Sequence, residues 1–400
     1  MPEMTRKQRL MAVLKGEPID RLPFAPNAEQ WFYARKYNGT LPPEYQDCED
    51  GLQFHIKLGA DVMTRWEGQV KGKAGIGAHV RFPHCKYTVE EIGPGRVDMP
   101  ITTAFNEYQY WNRVKRTLET PFGTLTQVWR FTPESCADFE EKYWISDMEK
   151  EWDALRFMVQ DRTYDYDMSE WKRDYARLGD AGLILIEIPE NPIKMLHWLM
   201  GPEKATLALI DQYDRCMELF AMHTDLTLRF VDEVCKRTTY EEAPILLSND
   251  NLDAMLMPPA WFDLVLYDHY RKVAERIHGH GRIFSVHSCG NNWHIRHCIK
   301  ASNIDLMEGL TPPPLGNFPL HLARQEMGED FIVEGGMYCT HQEMKEGARE
   351  AIEQYTIQLF DQMKDTKRFI YSTSCNISPR TPTDNLHYFR DFCFKYGKRG

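Results

Sequence analysis

Ile283-Phe284-Ser285-Val286-His287-Ser288-Cys289-Gly290 is the stretch on which the fold and chemistry of this 400-residue chain turn. Its first half reads as a buried strand. Its second half places an imidazole and a thiol one residue apart at the strand's end, and both suit a borderline metal such as zinc. Seven further short apolar runs resemble the strand half, at residues 22–25, 60–63, 183–188, 245–247, 304–307, 331–334 and 369–372. Most are separated by helical segments, which implies parallel pairing. Eight such units match an α/β fold, a single (β/α)8 TIM barrel. A helix opens the chain, with Thr5 as its cap, Leu10, Met11 and Leu14 at helical spacing and Gly16 ending it.

The spacing of the runs is uneven. About 120 residues separate the second from the third, too many for one crossover. Segments 80–82, 108–111 and 124–131 read there as hairpin strands, with Pro121-Phe122-Gly123 as a turn, and 147–180 as polar and helical. The chain is therefore expected to be one domain, 1–400, with 70–180 as a β-hairpin and helical insertion, a lid over one barrel face.

In such barrels functional groups come from the C-terminal ends of strands. The residues placed there are Glu29 and Trp31 after strand one, Glu187 at the end of strand three, Asn249 and Asp250 after strand four, His287 and Cys289 after five, Glu308 after six and Cys375 after eight. His287, Cys289 and Cys375 make an open three-ligand zinc site, with a fourth position for substrate or for a displaceable Glu308. Read blandly, they are a buried histidine and two inert core cysteines; the strand-end placement of all three argues against that. Glu29, Asn249 and Asp250 are expected to orient substrate or move protons, although helix capping explains the last two equally well. Cys339 is a weaker ligand candidate. His278-Gly279-His280 precedes strand five, on the face reserved for stability, and His294, His297 and Cys298 read as residues of the following helix.

Composition removes several classes. A net charge of -11 without a basic run argues against nucleic acid, and no apolar stretch approaches the ~20 residues of a membrane span. Ten irregularly spaced cysteines and a charged N-terminus without an apolar stretch point to a reducing cytoplasm. No Gly-x-Ser-x-Gly elbow or Walker loop occurs, and Gly-x-Gly at Gly75-Ile76-Gly77, Gly93-Pro94-Gly95 and Gly279-His280-Gly281 lacks a strand-to-helix context.

The opening Arg9-Leu10-Met11-Ala12-Val13-Leu14-Lys15-Gly16-Glu17-Pro18-Ile19-Asp20-Arg21-Leu22-Pro23, the turn Thr120-Pro121-Phe122-Gly123-Thr124-Leu125, the block His287-Ser288-Cys289-Gly290 and the closing Ser378-Pro379-Arg380-Thr381-Pro382-Thr383-Asp384-Asn385 together resemble the uroporphyrinogen decarboxylase superfamily. The late Cys375 with His287 and Cys289 resembles its zinc-dependent, corrinoid-linked methyltransferase branch, including coenzyme M and O-demethylase methyltransferases. Cobalamin-independent methionine synthase, a related barrel, has a glutamate between such ligands, where Glu308 stands here. The resemblance implies Zn2+ and a corrinoid (cobalamin). No Asp-x-His-x-x-Gly loop is present, so the corrinoid is expected on a separate partner protein. The small-molecule methyl donor or acceptor is either a methoxylated aromatic, suggested by Trp31, Tyr108, Tyr110, Trp111, Trp129, Tyr143 and Trp144, or a thiol. Homodimerisation remains open. The loop after strand one, Pro26-Asn27-Ala28-Glu29-Gln30-Trp31-Phe32, has no cation before Arg35, unlike the arginine-bearing loop of decarboxylases. A metal-free decarboxylase or lyase and a non-catalytic zinc-stabilised barrel stand as the alternatives.

Overall fold

The computed structural model describes residues 2–64, 80–93, 113–132, 137–253, 256–338, 349–373 and 375–399. Segment 108–111, Gly75-Ile76-Gly77, Pro94-Gly95, Cys136 and Cys339 lie outside them, as do Tyr108, Tyr110 and Trp111. The first helix, Arg6–Lys15, is closed at its start by a capping box in which Thr5 and Gln8 answer each other's backbone N–H. It ends at Gly16 in the left-handed conformation.

The strands in chain order are β1 (Val62–Thr64), β2 (Val80–Arg81), β3 (Lys86–Glu91), β4 (Arg113–Thr120), β5 (Gly123–Thr132), β6 (Ala137–Lys142), β7 (Thr163–Tyr164), β8 (Gly182–Ile184), β9 (Ile186–Ile188), β10 (Ile245–Asn249), β11 (Ile283–His287), β12 (Leu306–Leu310), β13 (Ile332–Met337) and β14 (Phe369–Thr373). The fold is α/β with a parallel sheet. Six strands pair in the order β14-β13-β12-β11-β10-β9, all parallel, and β1 pairs in parallel with β8. Both faces of these strands are covered, which is why they read as continuous apolar runs.

Seven of the eight expected strands form, β11 with the expected bounds and the others with shifted ends. Residues 183–188 divide at Leu185, so that β8 reaches β1 and β9 reaches β10. The expected strand at 22–25 is reduced to a parallel bridge between Phe24 and Tyr371. Pro23 removes an N–H donor from it and Pro26 removes the next one after it, which leaves little ladder to build. Its remaining backbone groups still reach both sides: Ala25 N–H donates to Tyr371 O (3.0 Å) and Asp61 N–H donates to Phe24 O (2.8 Å). The sixth strand starts two residues late and runs through Glu308 and Gly309 to Leu310, where its register with β13 shifts. Gly335 allows that shift, because a Cβ there would lie 2.4 Å from Leu310 O.

Residues between β1 and β8 carry a four-stranded antiparallel sheet, β3-β4-β5-β6. The turn at Pro121-Phe122-Gly123 joins β4 to β5, pairing Thr120 with Gly123. One face of the β4–β5 hairpin is buried, through Val114, Arg116, Leu118, Leu125, Gln127, Trp129 and Phe131. It meets Tyr37 of the helix Glu29–Tyr37 and Trp198 of the helix Pro192–Met200: Phe131 packs edge-on against Tyr37, and Trp129 stacks on Trp198 with centroids 6.0 Å apart. The 147–180 stretch forms helices Trp152–Asp161 and Ser169–Leu178 around β7, which pairs with β2. No helix among the described residues is long and apolar enough to cross a membrane.

Candidate metal centre

His287 is the last residue of β11, and its neighbours in register are Asn249 on β10 and Glu308 on β12. The turn that follows is tightly fixed. Ser288, fully buried, donates its backbone N–H to Glu308 O (2.9 Å) and its hydroxyl to Asn292 Oδ1 (2.7 Å), while accepting Leu252 N–H (3.0 Å). Gly290 takes φ 98°, and a Cβ there would lie 2.1 Å from Asp253 Oδ2. Only glycine fits this turn, which returns Cys289 to the strand end. The Cys375 segment is tied to the loop after the first apolar run: Asn27 N–H donates to Thr373 Oγ1 and Ile377 N–H donates to Asn27 O, both at 2.8 Å.

These constraints bring together His287, Cys289 and Cys375, whose ligand atoms all lie within 4.8 Å of one another. The hydrogen bond from Cys289 holds the Cys375 thiol well below its ordinary value; burial opposes this, and His287 adds to the lowering. Glu308 is outside this group. Its Oε1 meets His287 Nδ1 at 3.2 Å, so it touches the ring of the histidine.

The other expected site residues separate in role. Asn249 donates Nδ2 to Glu187 Oε1 (3.4 Å), and its carbonyl oxygen accepts from Lys194 Nζ. Asp250 is fully buried: its Oδ1 accepts Asn191 N–H (2.7 Å) and its Oδ2 accepts the Tyr270 hydroxyl (2.8 Å). Burial pushes its carboxyl up. Glu29 is buried in the first turn of its helix, against Gly51. Trp31 departs from the expected mouth position. It is fully buried, stacks on Phe54 at 5.5 Å and donates Nε1 to Thr381 O, as a core residue does. His294 is exposed and bonds Asn317, and His278 and His280 pair with Asp305 and Asp232.

A partly open cavity adjoins the centre through Glu308 and is lined also by Ala25, Pro26, Asn27, His55, Val62, Met63, Leu185, Glu334 and Ser372. Glu334 and His55 went unread in the sequence. Glu334 sits inside an apolar run whose polar residue is buried, a pattern that flags function in a strand covered on both faces. His55 gives no sequence signal beyond its helix. In the fold it accepts Ala28 N–H at Nε2, and its Nδ1 lies 2.8 Å from Gly51 O.

A parallel α/β sheet with such a constellation at its strand ends agrees with the sequence comparison. The family profile described as uroporphyrinogen decarboxylase (URO-D) matches residues 181–396, more than half of the chain, and the chain belongs to that family. No curated protein sequence matches it. Among solved structures it is similar to a methyltransferase from Methanosarcina mazei, with a TM-score of 0.59 and 14% identity, covering 98% of this chain and 99% of that one. At this identity the likeness is one of fold.

Proposed function

We propose that this chain is a zinc-dependent methyltransferase that moves a methyl group between a small molecule and a corrinoid carried on a separate protein. The carrying observation is the convergence of one imidazole and two thiols from two strand ends, all within 4.8 Å. Tetrahedral zinc with bonds of 2.0–2.3 Å would hold such donors about 3.5–3.8 Å apart. The group fits with a contraction of about 1 Å, and leaves a position for substrate. Bound there, zinc supplies Lewis acidity to the heteroatom that gains or loses the methyl group.

The chain's own groups prepare that site. The lowered Cys375 thiol favours the thiolate that binds metal. Glu308 engages His287 Nδ1, fixing the ring's orientation in the way carboxylates support metal-binding histidines; on this reading it supports a ligand and does not serve as the fourth. Asn249, beside His287 in register, and Glu187 present polar groups toward the same strand ends, with Lys194 holding Asn249 in place. Asp250 positions Asn191 and Tyr270. Glu29, buried in the loop-to-helix junction after the first apolar run, orients substrate.

The architecture proposed is a closed (β/α)8 barrel over residues 1–400, with 70–180 as a lid. The bonds from Phe24 to Asp61 on one side and from Ala25 to Tyr371 on the other support closure. The methyl-bearing molecule is a methoxylated aromatic or a thiol, and the Trp129–Trp198 stack beside Lys194 supports the former. Zn2+ and a corrinoid are the cofactors. Eight free cysteines among the described residues support a reducing cytoplasm.

Family membership alone also admits a metal-free decarboxylase. The cavity argues against a polyanionic tetrapyrrole, because its described lining carries Glu308 and Glu334 and no Lys or Arg. Metal analysis of the purified protein decides between them. About one zinc per chain, with methyl transfer to cob(I)alamin that a chelator abolishes, supports the proposal. Activity indifferent to chelation favours the decarboxylase.

A further inference from the structure

Cys289 follows β11 and Cys375 follows β14, strands that stand three places apart in the parallel sheet. Their sulfurs nonetheless lie within 4.8 Å of each other, and the two thiols are hydrogen-bonded. Both residues are half-buried and so keep some surface in water. The other described cysteines differ in kind. Cys216 and Cys235 are buried in the helix Tyr213–Arg237, Cys298 in Arg296–Ala301 and Cys393 in Thr383–Tyr396. Burial pushes Cys216, Cys393 and the half-buried Cys85 up to about 12, which keeps them as thiols of low reactivity. None of these joins the donor group at the strand ends.

We infer that Cys289 and Cys375 are a redox pair, which a hydroperoxide joins in a disulfide that dismantles the metal centre. With hydrogen peroxide, one sulfur attacks a peroxide oxygen and the O–O bond breaks. The departing hydroxide takes the thiol proton as water, and a sulfenic acid remains. The second sulfur attacks the first, the S–S bond forms, the S–O bond breaks and a second water leaves. The two sulfurs lose two electrons and the peroxide gains both. Rotation of two short side chains closes the gap to the ~2.05 Å of a disulfide. Zinc binds thiolates, so of its three donors only His287 would remain, fewer than a zinc site needs. The release of metal rests on the zinc reading given above, whereas the joining of the sulfurs rests on their own geometry.

The test treats the purified protein, with the metal it carries, with one equivalent of hydrogen peroxide. Alkylation and peptide mass mapping then locate the oxidised cysteines, while a chromogenic indicator follows zinc. The Cys289–Cys375 bond is expected ahead of oxidation at any other cysteine, with about one zinc freed per bond formed. Dithiothreitol with added zinc should return both thiols and the metal. A first bond that involves any other cysteine, sulfinic acid at either position without an S–S bond, or zinc retained after the bond has formed overturns the inference. Protein that carries no zinc yet forms the bond leaves the pair standing and removes only the metal reading.

Discussion

The two ends of the parallel strands gather buried polar groups in opposite ways. At the N-terminal end of β1, charges meet their opposites. Asp61, fully buried just before β1, accepts from the guanidinium of Arg9, from Arg21 Nη1 at 2.7 Å and from Phe24 N–H at 2.8 Å, and Arg9 also grips Asp20. At the C-terminal ends, the groups brought together are those that hold a cation: His287, Cys289, Cys375 and the adjoining Glu308. A matched network fixes structure, whereas a convergence of metal donors invites a ligand. The first end should therefore fail by unfolding and the second by losing metal and turnover.

The largest effect is expected at the second end. Cys289→Ala and Cys375→Ala should each abolish stoichiometric zinc and methyl transfer together, with circular dichroism unchanged. Full activity in a zinc-free variant would erase the contrast between the two ends. Asp61→Ala comes next: Arg9 keeps Asp20, but the change removes the carboxylate from Arg21 and leaves the buried Phe24 N–H without an acceptor, which should cost about 3 kcal/mol. Urea unfolding measures that loss, and the fraction that stays folded should keep its zinc. A folded Asp61→Ala protein without zinc would show that the two ends are not separate. Glu308→Gln is smaller: a carboxylate that only orients a ligand changes metal affinity by about 10–100-fold. A loss as complete as that of the cysteine variants would instead make Glu308 a ligand.

How much of this was legible follows from which interactions are local. The strand at 283–287 and its His-x-Cys ending needed only an apolar run and a turn, so they read directly from the sequence. The first apolar run was misjudged because its prolines withdraw donors from the ladder, leaving a bridge at Phe24. β4 escaped because its buried face carries Arg116 among Val114 and Leu118, and an arginine at an inward position disguises the alternation. Trp31 looked like a mouth residue because loop aromatics often are; only the fold shows Phe54 and Thr381 enclosing it. Cys375 was placed correctly since it follows β14 by two residues, but the bonds through Asn27 that aim it connect residues some 350 apart and leave no sequence trace.

Two histidines on the helices Tyr213–Arg237 and Tyr267–Gly279, which the fold holds uncharged, give the smallest effect. His223, fully buried, has Nδ1 against the Arg162 guanidinium and Nε2 against the Glu190 carbonyl, and His269 stacks on it with centroids 6.1 Å apart. Burial, reinforced by Arg162, lowers His223 to about 3, and burial together with His223 holds His269 well below its ordinary value. The unfolded chain takes up these protons near pH 6.5, whereas the folded chain refuses them until far lower. The stabilisation is therefore complete above about pH 6.5 and is lost progressively as pH falls toward 3, at about 1.4 kcal/mol per pH unit for each histidine. His223→Gln, which cannot titrate, should flatten the slope of unfolding free energy between pH 6.5 and 5 by about one proton, read from urea titrations at both values. Parallel slopes for variant and wild type would mean that His223 is protonated in the folded protein. The folded chain would then hold a second buried cation against the Arg162 guanidinium.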